Sequence, residues 1–124
     1  MRRVVVTGMG LLTSIGNDVK SSWQNLINSK SGIKKINHFE VSDLPAKIAG
    51  YLNNNPEDND YFNNSLSLEA KDIKRNDRFI QYGLVAAKMA IEDAGLENLT
   101  DNEKIRVGVS VGSGIGGLET IYEG

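Results

Sequence analysis

The sequence predicts an α/β fold that is incomplete, the amino-terminal portion of a larger layered domain. The first observation is the order of the elements, because strand, helix, loop, helix and strand in succession is typical of α/β proteins. The second is the number of strands, since sheets usually contain about five or six, whereas this sequence offers two clear strands and a doubtful third. The third is apolar surface: the first strand and the longest helix need more cover than 124 residues provide.

The first element is predicted to be a strand at residues 3–8, where three valines follow one another without polar alternation. Such a run is typical of a strand that is covered on both faces. A helix is predicted over residues 17–29, after a glycine-rich turn. Asn17 is a favourable N-cap, Ser31-Gly32 ends the helix, and the apolar residues of one face recur at helical spacing. These apolar residues are Val19, Trp23, Leu26 and Ile27.

The middle of the chain carries less pronounced patterns. A short strand is predicted at residues 47–51. A polar loop rich in asparagine is predicted at about residues 53–66, because this stretch has little to bury and many side chains that favour turns. We attach no function to this loop.

The longest helix is predicted to begin near Asn76 and to end at Gly95, which is placed as its C-cap. Two adjacent apolar stripes leave a narrow polar face that includes Gln81, so the helix is expected to be mostly buried. Gly83 costs about 1 kcal/mol relative to Ala in an exposed helix, and its presence predicts a close neighbour at that point. The two stripes are Ile80, Leu84, Ala87, Ile91 and Ala94, and Phe79, Gly83, Ala86 and Ala90.

A second clear strand is predicted at residues 105–112, where β-branched residues alternate with arginine, glycine and serine. The segment that follows, residues 112–117, fits the G-x-G-x-x-G fingerprint of dinucleotide-binding turns. The fingerprint also needs an acidic residue about 20 positions later, and only seven residues follow Gly117. A glycine-rich turn that allows tight packing is therefore favoured over a cofactor cradle. A Walker A loop is excluded because no Lys follows the glycines.

Composition excludes several classes of site. The sequence has no Cys and a single His, His38, so disulfides, thiolate metal sites, a Cys nucleophile and any site with two imidazoles are excluded. We expect no metal and no cofactor, and a structural role for His38. No stretch approaches the roughly 20 apolar residues that span a bilayer, and the first residues do not form a secretory leader. We therefore expect a cytoplasmic protein without a membrane partner.

Charge disfavours nucleic acid as a partner. The formal net charge is -2, from 14 Lys and Arg against 16 Asp and Glu, and no block of like charge is long enough for a nucleic-acid-binding arm. Lys71, Lys74 and Arg75 precede the longest helix at spacings that place all three on one side of a helical turn. By themselves they favour a solvated basic patch over a docking site for an anionic partner.

Six short motifs occur in order along the chain. They are Val4-Val5-Val6-Thr7-Gly8-Met9-Gly10, Gly16-Asn17, Ser31-Gly32-Ile33, Asp77-Arg78-Phe79-Ile80-Gln81-Tyr82-Gly83, Asp93-Ala94-Gly95-Leu96 and Gly112-Ser113-Gly114-Ile115-Gly116-Gly117. Together they resemble the amino-terminal part of the bacterial β-ketoacyl-acyl-carrier-protein synthases, and of their type II members in particular. The resemblance covers nearly the whole chain except the asparagine-rich loop.

The resemblance implies a thiolase-like fold, a layered α/β architecture with a mixed sheet, of which residues 1–124 would form a partial N-terminal domain. Members of this family are homodimeric condensing enzymes of fatty-acid synthesis that join an acyl chain to malonyl-acyl carrier protein by decarboxylative Claisen condensation. They use a Cys and two His, none of which can be assigned to this sequence. We therefore expect no catalytic residue here and no condensing activity from this chain alone.

Two features are carried over from the resemblance. Lys71, Lys74 and Arg75 match positions that meet the acidic acyl carrier protein in similar enzymes. Ile115 matches the residue that gates the acyl pocket of the type II enzymes. Two other functions stay open: a non-catalytic module that binds acyl carrier protein or a complete synthase, and, third, a nucleotide-binding domain that would rest on residues 112–117.

Overall fold

The computed structural model describes residues 2–53, 55–57 and 61–123. Its elements are α1 (Val19–Ile27), β1 (Ile33–Lys35), β2 (Ile48–Gly50), a 3-10 helix (Asn64–Leu66), α2 (Ala70–Arg75), α3 (Arg78–Asp93), α4 (Asp101–Lys104) and α5 (Leu118–Glu123). The chain forms two compact units, the first from the described residues of Met1–Gly10 and Asn64–Gly124, the second from those of Leu11–Asn63. The predicted α/β class is confirmed in its coarse form, with helices and a two-stranded sheet.

In the second unit, α1 begins at Val19, two residues after the start of the predicted range 17–29, because Asp18 and not Asn17 is its N-cap. It ends at Ile27, with Asn28 as its C-cap. The Asp18 carboxylate accepts a hydrogen bond from the Ser21 N–H at 2.6 Å, and the Ser21 hydroxyl accepts one from the Asp18 N–H at 3.3 Å. This reciprocal arrangement satisfies two backbone donors at once. It therefore fixes the start of the helix at Asp18.

The sheet of the second unit is an antiparallel pair, in which Ile33 lies opposite Gly50 and Lys35 opposite Ile48. The short strand predicted at residues 47–51 is confirmed as β2. Its partner β1 was not predicted, because three residues that include two lysines show no alternation. The predicted loop at about 53–66 has no helix or strand in its described residues up to 63, and the 3-10 helix follows. Residues 54 and 58–60 lie outside the described residues.

The predictions of strands at residues 3–8 and 105–112 are wrong: neither segment forms a strand in the part of the chain that the structure describes. A strand is held by hydrogen bonds to a neighbouring strand, and no described segment pairs with either of these. Their β-branched side chains consequently face solvent, Val4 at 95% and Val109 at 87% exposure. Both segments have a strand-like sequence pattern, but neither has a neighbouring strand among the described residues with which to form hydrogen bonds.

In the first unit, α3 follows its prediction closely in extent but not in burial. Asp77 is its N-cap residue, and Gly95 comes directly after the C-cap with φ +67, a conformation that glycine adopts without strain. Only Val85, at 1% exposure, and Gln81, at 6%, are buried among the residues of this helix. The expectation of a mostly buried helix is therefore wrong for the described structure, because no described segment covers the stripe that contains Ile80, Leu84 and Ile91.

Close backbone packing on α3 occurs elsewhere than at Gly83, where a Cβ would meet no described atom within 4 Å. The amino-terminal segment packs on the helix through its glycines instead. A Cβ at Gly8 would lie 2.5 Å from both the Ala90 carbonyl oxygen and the Ala94 nitrogen, and a Cβ at Gly10 would overlap the backbone of Ala86. Glycine is thus required where the two backbones meet.

A hydrogen bond beside these glycines joins the same two segments. The Met9 N–H, between Gly8 and Gly10, donates to Asp93 Oδ2 at 2.9 Å. The last residue of α3 therefore holds the amino-terminal segment against the helix, in addition to the close backbone packing.

The short helix α4 was not predicted, although its start carries a recognisable signal. Thr100 and Glu103 form a capping box, with the Thr100 hydroxyl and N–H donating to Glu103 Oε2 at 2.7 and 2.8 Å. Both hydrogen bonds lower the pKa of the Glu103 carboxyl, and the one from the Thr100 hydroxyl has the larger effect. In the second unit, the Ser42 and Val41 N–H groups act in the same way on Glu40 and lower its pKa.

None of the helices in the described residues combines the length and the apolar content that crossing a membrane requires.

The contrast between two glycines gives a stability prediction. Gly10→Ala should lower the free energy of unfolding by about 1–3 kcal/mol, because the added methyl group overlaps the backbone of Ala86. Gly83→Ala adds the same methyl group in open space within a helix and should raise it by about 0.5–1 kcal/mol. Urea unfolding followed by far-ultraviolet circular dichroism measures both changes. Shifts of the same sign in the two variants would contradict the packing of the amino-terminal segment on α3.

Candidate functional site

A buried glutamine side chain ties together the helical part of the first unit. Gln81 Nε2 donates to the carbonyl oxygens of Asn76, at 2.7 Å, and of Ile73, at 3.1 Å. Its Oε1 accepts a hydrogen bond from Asn64 Nδ2. Gln81 therefore joins the 3-10 helix, the end of α2 and the start of α3 through one amide group.

The helical spacing of the sequence predicts that Gln81 lies on the polar face of α3, and this prediction is wrong. The amide is buried because the last carbonyl groups of α2 have no partner within their own helix, and Gln81 supplies the donors. The available signal was a short helix that ends directly before a longer one. The unpaired carbonyl groups at the end of α2 then need a hydrogen-bond donor, which a polar side chain near the start of α3 can supply.

The three predicted docking residues lie on α2. Lys74 and Arg75 follow Lys71 by three and four residues, so both lie on the same side of the helix as Lys71. All three side chains are exposed. Lys71 Nζ lies 2.8 Å from Glu69 Oε2 in a solvent-exposed ion pair, an interaction that contributes little in water. Within the described residues Lys74 and Arg75 have no ion-pair partner. The face therefore keeps most of its positive charge available.

A cavity of about 250 Å³ lies where the start of α3 meets the glycine-rich segment that precedes α5. Most of its lining side chains are apolar or aromatic, and Ile115, predicted from the resemblance to be an acyl-pocket gate, is one of them. The lining residues are Asp77, Arg78, Phe79, Tyr82, Ile115, Gly116, Gly117 and Leu118. An open, mostly apolar cavity with a few polar groups suits part of an apolar ligand.

Two contacts hold the walls of this cavity together. The Thr120 hydroxyl donates to Asp77 Oδ1 at 2.5 Å, which links α5 to the first residue before α3. The ring of Phe79 lies so close to Gly116 that a Cβ there would be 2.5 Å from ring atoms. No sequence pattern joins Asp77 to Thr120, because 43 residues separate them.

The structure gives no support to the nucleotide-binding interpretation of residues 112–117. A dinucleotide-binding turn joins a strand to a helix, and the described residues before Gly112 form no strand that leads into it. His38 lies in the second unit, where its ring centroid is 4.9 Å from that of Phe39 and 4.8 Å from that of Tyr51. Among the described residues, no group of three or more His, Cys, Asp or Glu side chains could hold a metal ion.

The amide of Gln81 generates a testable prediction. Gln81→Leu should lower the free energy of unfolding by about 1–3 kcal/mol, since it leaves the Asn64 amide and two backbone carbonyl groups without their buried partner. Gln24→Leu is the matched control: Gln24 is exposed on α1, and surface changes of this kind stay within about 0.5 kcal/mol. Urea unfolding measures both. Equal effects in the two variants would show that Gln81 does not hold α2.

Comparison with known proteins assigns the chain to a protein family. The family described as "Beta-ketoacyl synthase, N-terminal domain" matches residues 1–123. The proteins named 3-oxoacyl-[acyl-carrier-protein] synthase 2 from Vibrio harveyi and Vibrio cholerae serotype O1 are each 44% identical to it over 123 residues. The protein of that name from Staphylococcus aureus strain N315 is 44% identical over 119 residues.

These alignments cover almost all of this chain but a minor part of its relatives. They span 99% of the chain and 28% of either Vibrio protein, and 96% and 27% in the Staphylococcus comparison. The chain thus covers little more than a quarter of the length of the curated relatives it matches. The predicted resemblance is confirmed: the chain belongs to the β-ketoacyl synthase N-terminal domain family.

Proposed function

We propose that this chain is the amino-terminal segment of a 3-oxoacyl-acyl-carrier-protein synthase, and that it presents a docking face for acyl carrier protein on α2. The observation that carries the docking proposal is the exposed, largely unpaired basic face of α2. The relatives' name supplies the partner class, since those proteins are named as synthases that act with acyl carrier protein. A second part of the proposal is that the 124-residue polypeptide alone does not condense acyl groups.

Residues 1–124 are, on this proposal, a partial thiolase-like domain with a polar loop at about 53–66. The unpaired extended segments support it. Valines at residues 4–6 and the alternating apolar residues at 105–111 are exposed, although such sequences are suited to the interior of a layered sheet. Association with further copies of the chain would also cover this surface, so a homo-oligomer belongs to the same proposal.

Electrostatics supports the choice of α2 over the lysines of α3 and α4. Lys88 and Lys104 each have a carboxylate on their own helix, Glu92 at 3.9 Å and Asp101 at 3.3 Å. On α2, three cations share one face with a single ion pair to Glu69. An acidic partner would therefore be drawn to α2, because charge complementarity steers the encounter and sets the orientation.

The proposed lack of activity rests on the chemistry that condensation requires. Acyl transfer needs an activated nucleophile, usually a thiolate, and the sequence contains no Cys. Decarboxylation needs donors aimed at the developing enolate. The one histidine, His38, packs against the rings of Phe39 and Tyr51.

A non-catalytic module that binds acyl carrier protein or a complete synthase is the second candidate. The exposed α2 face favours it equally, since docking does not depend on a nucleophile. The two candidates differ in whether the reactive groups belong to the same protein.

Charge reversal on α2 tests the docking face. In Lys74→Glu/Arg75→Glu, affinity for acyl carrier protein should fall at least about tenfold, because like charges replace opposite charges at the contact. Binding of the unaltered chain should weaken as salt rises. Fluorescence anisotropy of labelled acyl carrier protein measures both effects.

The matched control is Lys88→Glu/Lys104→Glu, which makes the same change of net charge on α3 and α4, at exposed lysines. It should retain most of the affinity. Equal loss in both double variants would mean that overall charge, rather than the α2 face, governs binding.

An activity assay tests the other half of the proposal. The purified 124-residue chain, given acyl carrier protein loaded with an acyl group and radiolabelled malonyl-acyl carrier protein, should yield no condensation product, because it has no thiolate. The full-length Vibrio harveyi relative serves as the positive control. Labelled 3-oxoacyl product from the pure chain would refute the proposal.

A further inference from the structure

Ile115 stands between two parts of the glycine-rich segment that have different surroundings. Before it, Gly112 and Gly114 have no atom of the described structure within 4 Å of the place where a Cβ would be. After it, Gly116 meets the Phe79 ring and Gly117 meets the Asp77 carboxylate. One side of Ile115 is therefore open and the other side lies against the start of α3.

The carboxylate of Asp77 bonds to a distant residue and not to its own helix. Asp77 occupies the N-cap position of α3, where aspartate is among the most favourable residues, yet its side chain makes no capping hydrogen bond. Its Oδ1 accepts from the Thr120 hydroxyl at 2.5 Å instead. Its Oδ2 lies 2.5 Å from the position of a Cβ at Gly117, which has φ +68. The side chain is thus turned away from its own helix and toward the segment that carries Ile115.

We infer that Asp77 is a positioning residue: its hydrogen bond to Thr120 fixes the carboxyl side of the glycine-rich segment, so that Ile115 moves about Gly112 and Gly114 alone. The side chain of Ile115 is 78% exposed and still lines the cavity at the start of α3. Rotation about the two open glycines would carry this apolar side chain over the cavity mouth or away from it. Because the residues after Ile115 are held by Asp77, the movement of Ile115 is confined to rotation about Gly112 and Gly114.

The ligand class follows from the lining. Phe79, Tyr82 and Leu118 present apolar and aromatic surface beside Ile115, which suits a hydrocarbon chain. In this respect the inference rests on the proposed function, because the acyl group of a carrier-bound substrate is such a chain. The anchoring role of Asp77 is independent of which ligand enters.

A pair of substitutions at one position separates the hydrogen bond from the shape of the side chain. Thr120→Val keeps the shape and removes the hydroxyl, whereas Thr120→Ser keeps the hydroxyl and removes a methyl group. Backbone amide order parameters of Gly116 and Gly117 in the 124-residue chain, measured by nitrogen-15 relaxation, should be near about 0.85 in the unaltered and Thr120→Ser chains. In Thr120→Val they should fall below about 0.6. Order at Gly95 should stay the same in all three chains.

A second substitution tests whether the same interaction is involved. Asp77→Ala should reproduce the loss of order, and the double variant Asp77→Ala/Thr120→Val should lose no more than either single variant, because both remove one hydrogen bond. Unchanged order parameters in Thr120→Val would overturn the anchoring role of Asp77. So would a failure of Thr120→Ser to retain the order of the unaltered chain.

A titration with octanoyl-pantetheine keeps this outcome distinct from that of the proposed function. Shifts of the Ile115 methyl and Tyr82 ring signals are expected on addition of the probe. Their absence would overturn the assignment of an acyl ligand to this cavity, whereas the docking face proposed on α2 is decided by its own binding assay. The order parameters would still decide whether Asp77 anchors the segment.

Discussion

The amide group of Gln81 is the interaction on which the arrangement of the first unit depends. Hydrogen bonds of neutral groups are modest in net stabilisation, but leaving buried donors and acceptors unpaired is costly. With Gln81 in place, the carbonyl groups that end α2 and the amide of Asn64 are satisfied together. The hydrogen bonds of Gln81, a residue of α3, therefore orient α2 and its basic residues Lys71, Lys74 and Arg75.

Helix α3 acts as a common support for three separate features of that unit. Its start borders the cavity and carries Asp77, its first turn contributes Gln81, and its carboxyl half receives the backbone of Gly8 and Gly10. A single helix with few buried side chains can do this because two of the three features, the Gln81 amide and the close approach of Gly8 and Gly10, use polar or backbone atoms. The helix needs little apolar cover for those roles, which fits the exposure of its other apolar side chains, Ile80, Leu84 and Ile91.

The sequence was informative where structure is local and uninformative where it depends on distant partners. Helical spacing correctly predicted α3 and the shared face of Lys71, Lys74 and Arg75, since both follow from residues within one turn of each other. The strands at 3–8 and 105–112 were not formed, because a strand needs a neighbour that the described chain does not supply.

The candidate site was predictable to a smaller extent than the helices. The buried state of Gln81 and the Asp77–Thr120 contact, 43 residues apart, required knowledge of which segments meet. Ile115 could be named by resemblance, but its neighbours could not, because they come from the start of α3 and not from its own segment.

The docking of the amino-terminal segment on α3 has a consequence for synthesis on the ribosome. The Met9 N–H and Asp93 carboxylate that meet in the folded unit are 84 residues apart, so the segment around Met9 must wait until α3 has been synthesised to its last residue. At elongation rates of about 5–20 residues per second, this delay is roughly 4–17 s for 84 residues. During that time Gly8 and Gly10 of the nascent chain lack the helix backbone on which they pack in the folded unit.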